Sequence, residues 1–382
     1  VWTPIGKYGF WSDKKFKGNF NGNSHTISGL FIEANDNDNY NGLFGVVDEG
    51  TIRNLTIADS YMHASNPYSS NFYGFIAGQT SNATLLNCHV KNSCVTNTGN
   101  DSWNKIGIGG LVGRSLNEDV FSKCSFNGNF VLHSFRTNSL VYAGGILGYG
   151  NTTSGYDSEV KLYSCSTKGK FKVTGSPAIG VYGIGVNIGE AYGCVAGMDF
   201  DIQTHGEYYI GETYNYPLDV ASFSYSSGRC TLCTTYGTIK VGEPDNPVRV
   251  KPLGEQSRGV NNIRIGTFSS VGKLYENNED MKDQCAAYTN VELYLHDDSK
   301  GKAFITSFGL AYIKSSTEYQ VLTLKNCIVA GNHIIKSNTA IGYNPVVLDY
   351  NNGDSQQDVD DAWEWAKGVK YCTTVNGVKD EG

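Results

Sequence analysis

Short apolar segments of two kinds alternate along this chain. The first kind is apolar at its second and fifth positions and mostly apolar or small at its seventh. It reads Thr51-Ile-Arg-Asn-Leu-Thr-Ile57, Thr84-Leu-Leu-Asn-Cys-His-Val90, Val120-Phe-Ser-Lys-Cys-Ser-Phe126 and Lys161-Leu-Tyr-Ser-Cys-Ser-Thr167, with looser copies at 190–196, 229–235 and 323–329. The fifth and seventh positions share one face of a strand, since side chains alternate with a period of two. The second and fifth do not, so the chain must bend between them. Asn54, Asn87 and Asn326 stand at that bend, where Asn tolerates a left-handed backbone better than most residues.

The second kind is a short apolar strand closed by glycines: 42–45, 74–78, 109–113 and 144–148, with weaker versions at 183–189 and 307–311. Glycine at both ends allows tight corners and close backbone approach. The fifth-position slot is filled by Leu55, Cys88, Cys124, Cys165, Cys194, Cys233 and Cys327. Its successive spacings are 33, 36, 41, 29 and 39, then a gap of 94 in which Cys285 marks a degraded copy. A unit of roughly 35 residues made of short strands cannot bury its apolar side alone, so neighbouring copies must stack. The pattern predicts an all-β parallel β-helix of about ten coils. At a strand spacing of about 4.8 Å the rod would be about 45–50 Å long.

Composition sharpens the picture. The chain has 382 residues with 46 Gly, 25 Tyr and 17 Phe, 40% apolar and 18% charged. Turn formers and aromatics outweigh helix formers, which argues against an α-rich or doubly wound protein, and the apolar content argues against disorder. A net charge of -7 gives no electrostatic reason to bind nucleic acid or anionic lipid. No apolar run reaches the roughly 18 to 20 residues of a membrane-spanning helix. Ten cysteines are too sparse for a small disulfide scaffold. Their recurrence in one slot reads as small hydrophobes stacked inside. Cys230-Thr-Leu-Cys233 has zinc-like spacing, but no second suitably spaced pair follows it, so neither a metal nor another cofactor is expected.

The glycine elements Gly42-Leu-Phe-Gly45, Gly109-Gly-Leu-Val-Gly113 and Gly144-Gly-Ile-Leu-Gly148 resemble the GLUG motif of bacterial cell-surface proteins. Residues 16–30, with Trp2-Thr-Pro-Ile-Gly6 before them, resemble the segment that opens such repeats. The resemblance covers residues 2 to about 200. It implies a right-handed parallel β-helix, export and display at the cell surface in adhesin-like or protease-associated chains. It implies no catalytic residues.

Beyond residue 205 the repeat loosens. Residues 207–217, 243–262 and 276–282 read as loops, and 358–370 as a short helix, acidic at its start and basic at its end as the helix dipole favours. One domain over 1–382 is expected, with regular coils at 1–205, irregular coils with insertions at 206–350 and a capping helix within 351–382. The opening at Val1 in mid-motif suggests that a leader or anchor lies outside this sequence.

Candidate chemistry is thin. Asp199 and Asp201 share a strand face, as an acid/base pair would. In the repeat register they fall beside Lys170 and Lys172, with Lys240 on the other side, which reads as exposed ion pairs. Phe171, Val173, Phe200, Ile202, Ile239 and Val241 should then face inward. Asp297 and Asp298 point to opposite faces as strand neighbours, and Asp36 with Asp38 reads as a solvated turn rather than a calcium loop. The strongest binding candidate is the aromatic loop carrying Tyr208, Tyr209, Tyr214 and Tyr216, since Tyr offers a flat apolar ring with a polar tip. The leading expectation is a non-catalytic surface protein that binds a glycan or a surface protein. Two alternatives stand: a polysaccharide lyase or hydrolase with an acid near Arg258 or Arg264, and a spacer for a further domain. Cys94 and Cys372 lie outside the regular slots, and their pairing is open.

Overall fold

The computed structural model describes residues 2–9, 12–33, 39–64, 71–97, 106–134, 141–150, 160–175, 179–204, 218–250, 262–270, 280–299, 302–315, 318–319, 322–337, 341–343, 348–350, 372–375 and 379–380. Among them every regular element is a strand. The helix expected at 358–370 and the tyrosines of 207–217 lie outside the described residues.

The strands pair in parallel, each with its counterpart one repeat earlier and one repeat later. Asn71–Gly74, Ile106–Gly109, Val141–Gly144 and Ile179–Tyr182 belong to a nine-stranded sheet running from Tyr40–Asn41 to Ile341–Tyr343. Glycine corners lead from Tyr40–Asn41, Asn71–Gly74, Ile106–Gly109 and Val141–Gly144 into Phe44–Asp48, Ala77–Ser81, Val112–Ser115 and Leu147–Gly150, which form a four-stranded sheet. The cysteine-bearing segments form the third and largest sheet. Thr84–Asn97 crosses a corner unbroken and pairs with Thr51–Ala58 and Tyr61–Ala64 on one side, and with Val120–Ser122 and Ser125–Ser134 on the other. Apolar side chains from all three sheets meet in one continuous core.

The slot register inferred from sequence is the observed one. Leu55 pairs with Cys88, and the flanking pairs Ser122 with Tyr163, Tyr163 with Tyr192 and Tyr192 with Thr231 carry the column through Cys124, Cys165, Cys194 and Cys233. The degraded copy is genuine: Thr231 pairs with Asp283 and Asp283 with Lys325, which puts Cys285 between Cys233 and Cys327. Cys372 then pairs with Cys327, so its backbone continues the column, whereas Cys94 pairs with Tyr61 and Asn129 several repeats away. The expected left-handed bend is present at Asn54, Asn87 and Asn326 with φ of 52°, 53° and 51°, and equally at Lys123, Ser164, Leu232 and Gln284. The stack imposes that conformation even where the local residue disfavours it.

The thiols are buried and hydrogen-bonded backwards along the stack. Cys124 Sγ donates to Leu85 O at 3.5 Å, Cys165 Sγ to Phe121 O at 3.3 Å and Cys285 Sγ to Cys230 O at 3.4 Å. Burial, with the neighbouring Cys165 and Cys88 thiols adding to it, holds the Cys124 thiol well above its usual pKa. Access decides which thiols a reagent reaches: an alkylating reagent should label Cys94, which is half-buried, in the native protein. Cys88, Cys124, Cys165, Cys194, Cys230, Cys233, Cys285 and Cys327 should react only on unfolding. Peptide mapping after native and denatured labelling reads this directly, and native labelling of Cys165 would contradict it.

Among the buried polar residues, Lys282 and Asp119 are two with charge-bearing side chains. Lys282 fills the slot that Leu85, Phe121 and Leu162 fill in other copies, so residues 280–283 form a strand rather than the end of the expected loop. Its Nζ, fully buried, donates to Ser227 O and Gly228 O at 2.7 Å each. The expected loop at 243–262 is likewise partly ordered, with Val248 paired to Leu295 and both Val248 and Val250 buried. Asp119 sits at a corner, accepting hydrogen bonds from Thr80 Oγ1 at 2.6 Å, Ala83 N at 2.7 Å and Ser115 Oγ. Burial raises its pKa to about 6 against the pull of those donors. A carboxyl with a raised folded-state pKa stabilises most below its unfolded value, and that contribution is lost as pH rises through about 6. Asp119→Asn should therefore flatten the decline in unfolding free energy between about pH 4 and 7 by up to about 3 kcal/mol, at 1.36 kcal/mol per pKa unit. Parallel denaturation curves of both proteins across that range measure it, and identical pH profiles would show that Asp119 does not titrate there.

Candidate functional site

The third sheet carries the candidate acid pair. Lys170 faces Asp199, Lys172 faces Asp201, and Asp201 faces Lys240, as the register predicts. The ion pair that forms is diagonal, from Lys170 Nζ to Asp201 Oδ2 at 2.9 Å, while Asp199 Oδ1 accepts from Thr238 N at 2.9 Å and Lys240 pairs with Glu243. Burial pushes the Asp201 pKa up, but Lys170 and Gln203 together outweigh it and lower the net value. A carboxylate fixed in this way is a poor general acid near neutrality. Phe171, Val173, Phe200, Ile202, Ile239 and Val241 are all buried beside it. Asp298, exposed in a turn, pairs with Arg249 at 2.9 Å. Asp36, Asp38 and Arg258 lie outside the described residues. Cys230 and Cys233 are core residues, and among the described residues no three His, Cys, Asp or Glu side chains are placed to hold a metal ion.

A different constellation forms where the outer sides of the nine- and four-stranded sheets face each other. The glycines make that approach possible. A Cβ on Gly113 would stand 2.4 Å from Tyr73 N, and one on Gly148 would stand 2.3 Å from Ile108 N. The two sheets thus touch backbone to backbone and leave a seam beside the contact. One wall is the outward column Tyr40, Phe72, Gly107, Tyr142, Gly180, Asp219 and Arg264, in lateral register. The other wall contributes Gln79, Arg114 and Tyr149 from paired strands, with Tyr225 further along.

Rings and guanidinium groups alternate along the seam. Tyr40 stacks on Phe72 at 5.9 Å, the Arg114 guanidinium lies 4.8 Å from the Phe72 centroid and 6.0 Å from that of Tyr149, and Tyr149 meets Tyr142 at 5.4 Å. Further along, Tyr182 packs edge-on against Tyr225 at 5.9 Å, and Arg264 sits 5.6 Å from the Tyr225 ring. Arg264 Nη2 also reaches Asp219 Oδ2 at 2.6 Å. Burial raises the Asp219 pKa, with Arg264 and Ser270 opposing it. The Tyr142 hydroxyl is likewise raised, by burial first and then by Tyr225, Tyr149 and Asp219. An acid and an arginine from the irregular part of the chain thus converge with Tyr225 and with Tyr142 and Tyr182 of the regular repeats.

Of the expected participants among the described residues, only Arg264 belongs to this cluster. The sequence did hold a signal for the rest. An aromatic residue stands two positions before the first glycine in three of the four regular elements, Tyr40-Asn-Gly42, Phe72-Tyr-Gly74 and Tyr142-Ala-Gly144, with Gly107 in that place in the fourth. The same place holds Asp219 before Val220-Ala221 and Arg264 before Ile265-Gly266. The aromatic segment with Tyr208, Tyr209, Tyr214 and Tyr216 runs in sequence directly into the strand Leu218–Ala221 that carries Asp219.

No protein-family model matches the chain. Over 62 residues, 16% of the chain, it is 44% identical to a protein of Evansella cellulosilytica named "Putative Gly-rich membrane protein". Over 114 residues, 30% of the chain, it is 35% identical to halomucin of Haloquadratum walsbyi. The matched stretches span 7% and 1% of those proteins' lengths, so each is a local likeness to a much longer chain.

Proposed function

We propose that the chain is a right-handed parallel β-helix of the GLUG-motif type, displayed at the cell surface, that binds a glycan without modifying it. The observation that carries the binding reading is the seam, a line of ring faces and guanidinium groups running across successive repeats. Rings or charged groups recur at several levels of the stack, which suits a polymer lying along it. In sequence, Tyr208, Tyr209, Tyr214 and Tyr216 precede the strand that carries Asp219. The names of the two partial relatives, one a membrane protein and the other a mucin by name, support an extracellular setting. A surface protein ligand is the variant of this reading in which the same rings act as interface anchors.

A second reading is supported by the convergence of Asp219 with Arg264, an acid and a cation in the irregular repeats, which is what a polysaccharide lyase or hydrolase would require. Electrophoresis through gels cast with neutral and acidic polysaccharides, stained afterwards for polymer, separates the two. Retardation without clearing, weakened when Tyr208, Tyr209, Tyr214 and Tyr216 are all changed to Ala, is the expected result. A cleared zone would replace binding by catalysis. Unaltered migration in every polymer would remove the glycan reading altogether.

A further inference from the structure

The outer side of the third sheet carries a group of solvent-exposed apolar side chains. In four consecutive repeats these are Tyr192 (48% exposed), Leu232 (44%), Tyr236 (42%), Tyr288 (45%) and Ile328 (39%). Single exposed apolar residues are ordinary, whereas a contiguous patch of several hundred Å² marks a contact surface. Lateral pairing makes these five contiguous. Val195 pairs with Thr234, Thr234 with Ala286 and Ala286 with Ile328. One outward column thus runs along the stack as a floor of short side chains, half-buried from Val195 to Ala286. At about 4.8 Å per step it is about 14 Å long. Tyr236 and Tyr288 flank it on one side, each two residues after a floor position, and Tyr192 and Leu232 flank it on the other. An added Cβ on Gly197 would stand 2.2 Å from Tyr236 Cζ, so this ring lies over the Gly197 backbone and is held there by the sheet. Among the described residues the hydroxyl groups of Tyr192, Tyr236 and Tyr288 have no hydrogen-bond partner.

Charge and area select the ligand class. Segments 192–197, 231–236 and 284–288, which form the strip, contain no charged residue, although Lys170, Asp199, Asp201 and Lys240 stand on neighbouring outward columns of the same sheet. An ionic polymer therefore finds no counter-charge along the strip. The five exposed side chains together present on the order of 400 Å². That is about half of the roughly 800 Å² that each partner commits to a stable protein interface. A run of sugar rings needs less, and it suits both halves of a tyrosine. The C–H face of a pyranose rests on the ring, and its hydroxyl groups exchange hydrogen bonds with the phenolic tip. We infer that this strip is a contact surface for a neutral polysaccharide lying along the stack, with Tyr236 and Tyr288 as stacking faces, Tyr192 opposite them and Thr234 in the floor. This rests on the glycan-binding reading above and gives it a surface separate from the seam.

The test uses the full chain and the same gels, cast with neutral polymers (a β-glucan, a mannan, a galactan) and acidic ones (alginate, hyaluronan). Wild-type protein should be retarded by at least one neutral polymer. Its apparent dissociation constant should change less than twofold between 50 and 500 mM NaCl, since no charge is neutralised on binding. The triple variant Tyr192→Ser/Tyr236→Ser/Tyr288→Ser should weaken that retardation at least tenfold, with only the small change in denaturation midpoint that surface substitutions bring. Thr234→Lys keeps all three rings and places a charge in the floor. It should weaken retardation several-fold, and it serves alone if the triple variant does not fold. Neutral-polymer binding untouched by both variants would overturn the strip while leaving the glycan reading standing. Retardation confined to acidic polymers would also overturn it. No retardation by any polymer would remove both.

Discussion

Phe171→Ala is expected to lower the unfolding free energy by about 3–5 kcal/mol, the range for emptying an aromatic site in a packed core. Phe171 is fully buried between Phe130 and Phe200 in the same lateral column. Its ring lies 4.2 Å from Phe130 at 12° and 5.2 Å from Phe200 at 2°. Backbone spacing between paired strands holds the neighbouring rings apart, so the cavity cannot close without breaking the ladder. Repeat stacks transmit damage to nearest neighbours. Amide exchange should therefore accelerate first in Ser125–Ser134, Ser166–Gly175 and Val195–Thr204. Phe171→Leu keeps most of the volume and should cost less than half as much. A loss below about 1 kcal/mol for the alanine variant would mean that the rings do not share a rigid core.

Gly109→Ala should be nearly as costly, at least about 3 kcal/mol, although it adds a single methyl group. A Cβ there would stand 1.8 Å from Val112 O, 2.5 Å from Val112 C and 2.9 Å from Gly148 N. All three are backbone atoms at the corner between the nine- and four-stranded sheets, so no rotamer change relieves the contact. Gly29→Ala supplies the contrast. Gly29 has a φ of +72° but nothing within 4 Å of the added methyl, so only the left-handed backbone is penalised, at about 1 kcal/mol. Denaturant midpoints for the two variants separate close approach from conformational strain. Equal losses would show that the corner opens more easily than its geometry indicates. Because the corner also sets the seam, Gly109→Ala should disturb Phe72 and Tyr149, which pack over the adjacent Gly107.

Much of the architecture is carried by local patterns that a reader of the sequence can follow. The slot shared by Leu55 and the cysteines, the bend at Asn54 and Asn87, and the inward faces of Phe171 and Phe200 all follow from a two-residue period interrupted at one fixed place. Stacking then makes each copy the template of the next, so one correct alignment fixes every lateral neighbour. The degraded copies yield less to this approach. Lys282 hides a core position because a lysine reads as exposed. Its long stem reaches two carbonyl groups in the preceding repeat, which no local pattern announces. Asp119 is similar, since its three donors come from a neighbouring copy and from its own corner.

The candidate site divides in the same way. Which residues point outward from the glycine-bearing strands was determined by the sequence, and so was the chemistry of those residues, aromatic in several copies and charged in Asp219 and Arg264. That the outer sides of two sheets close on each other was decided only in three dimensions. Contact there depends on glycines in different repeats meeting backbone atoms of other strands, as Gly113 meets Tyr73 and Gly148 meets Ile108. The sequence by itself therefore determined the repeat, the register and the inward face, because these depend on spacing within one copy and its neighbour. The tertiary structure decided the seam and the pairing of Asp219 with Arg264, because these depend on the angle between sheets, which no single repeat contains.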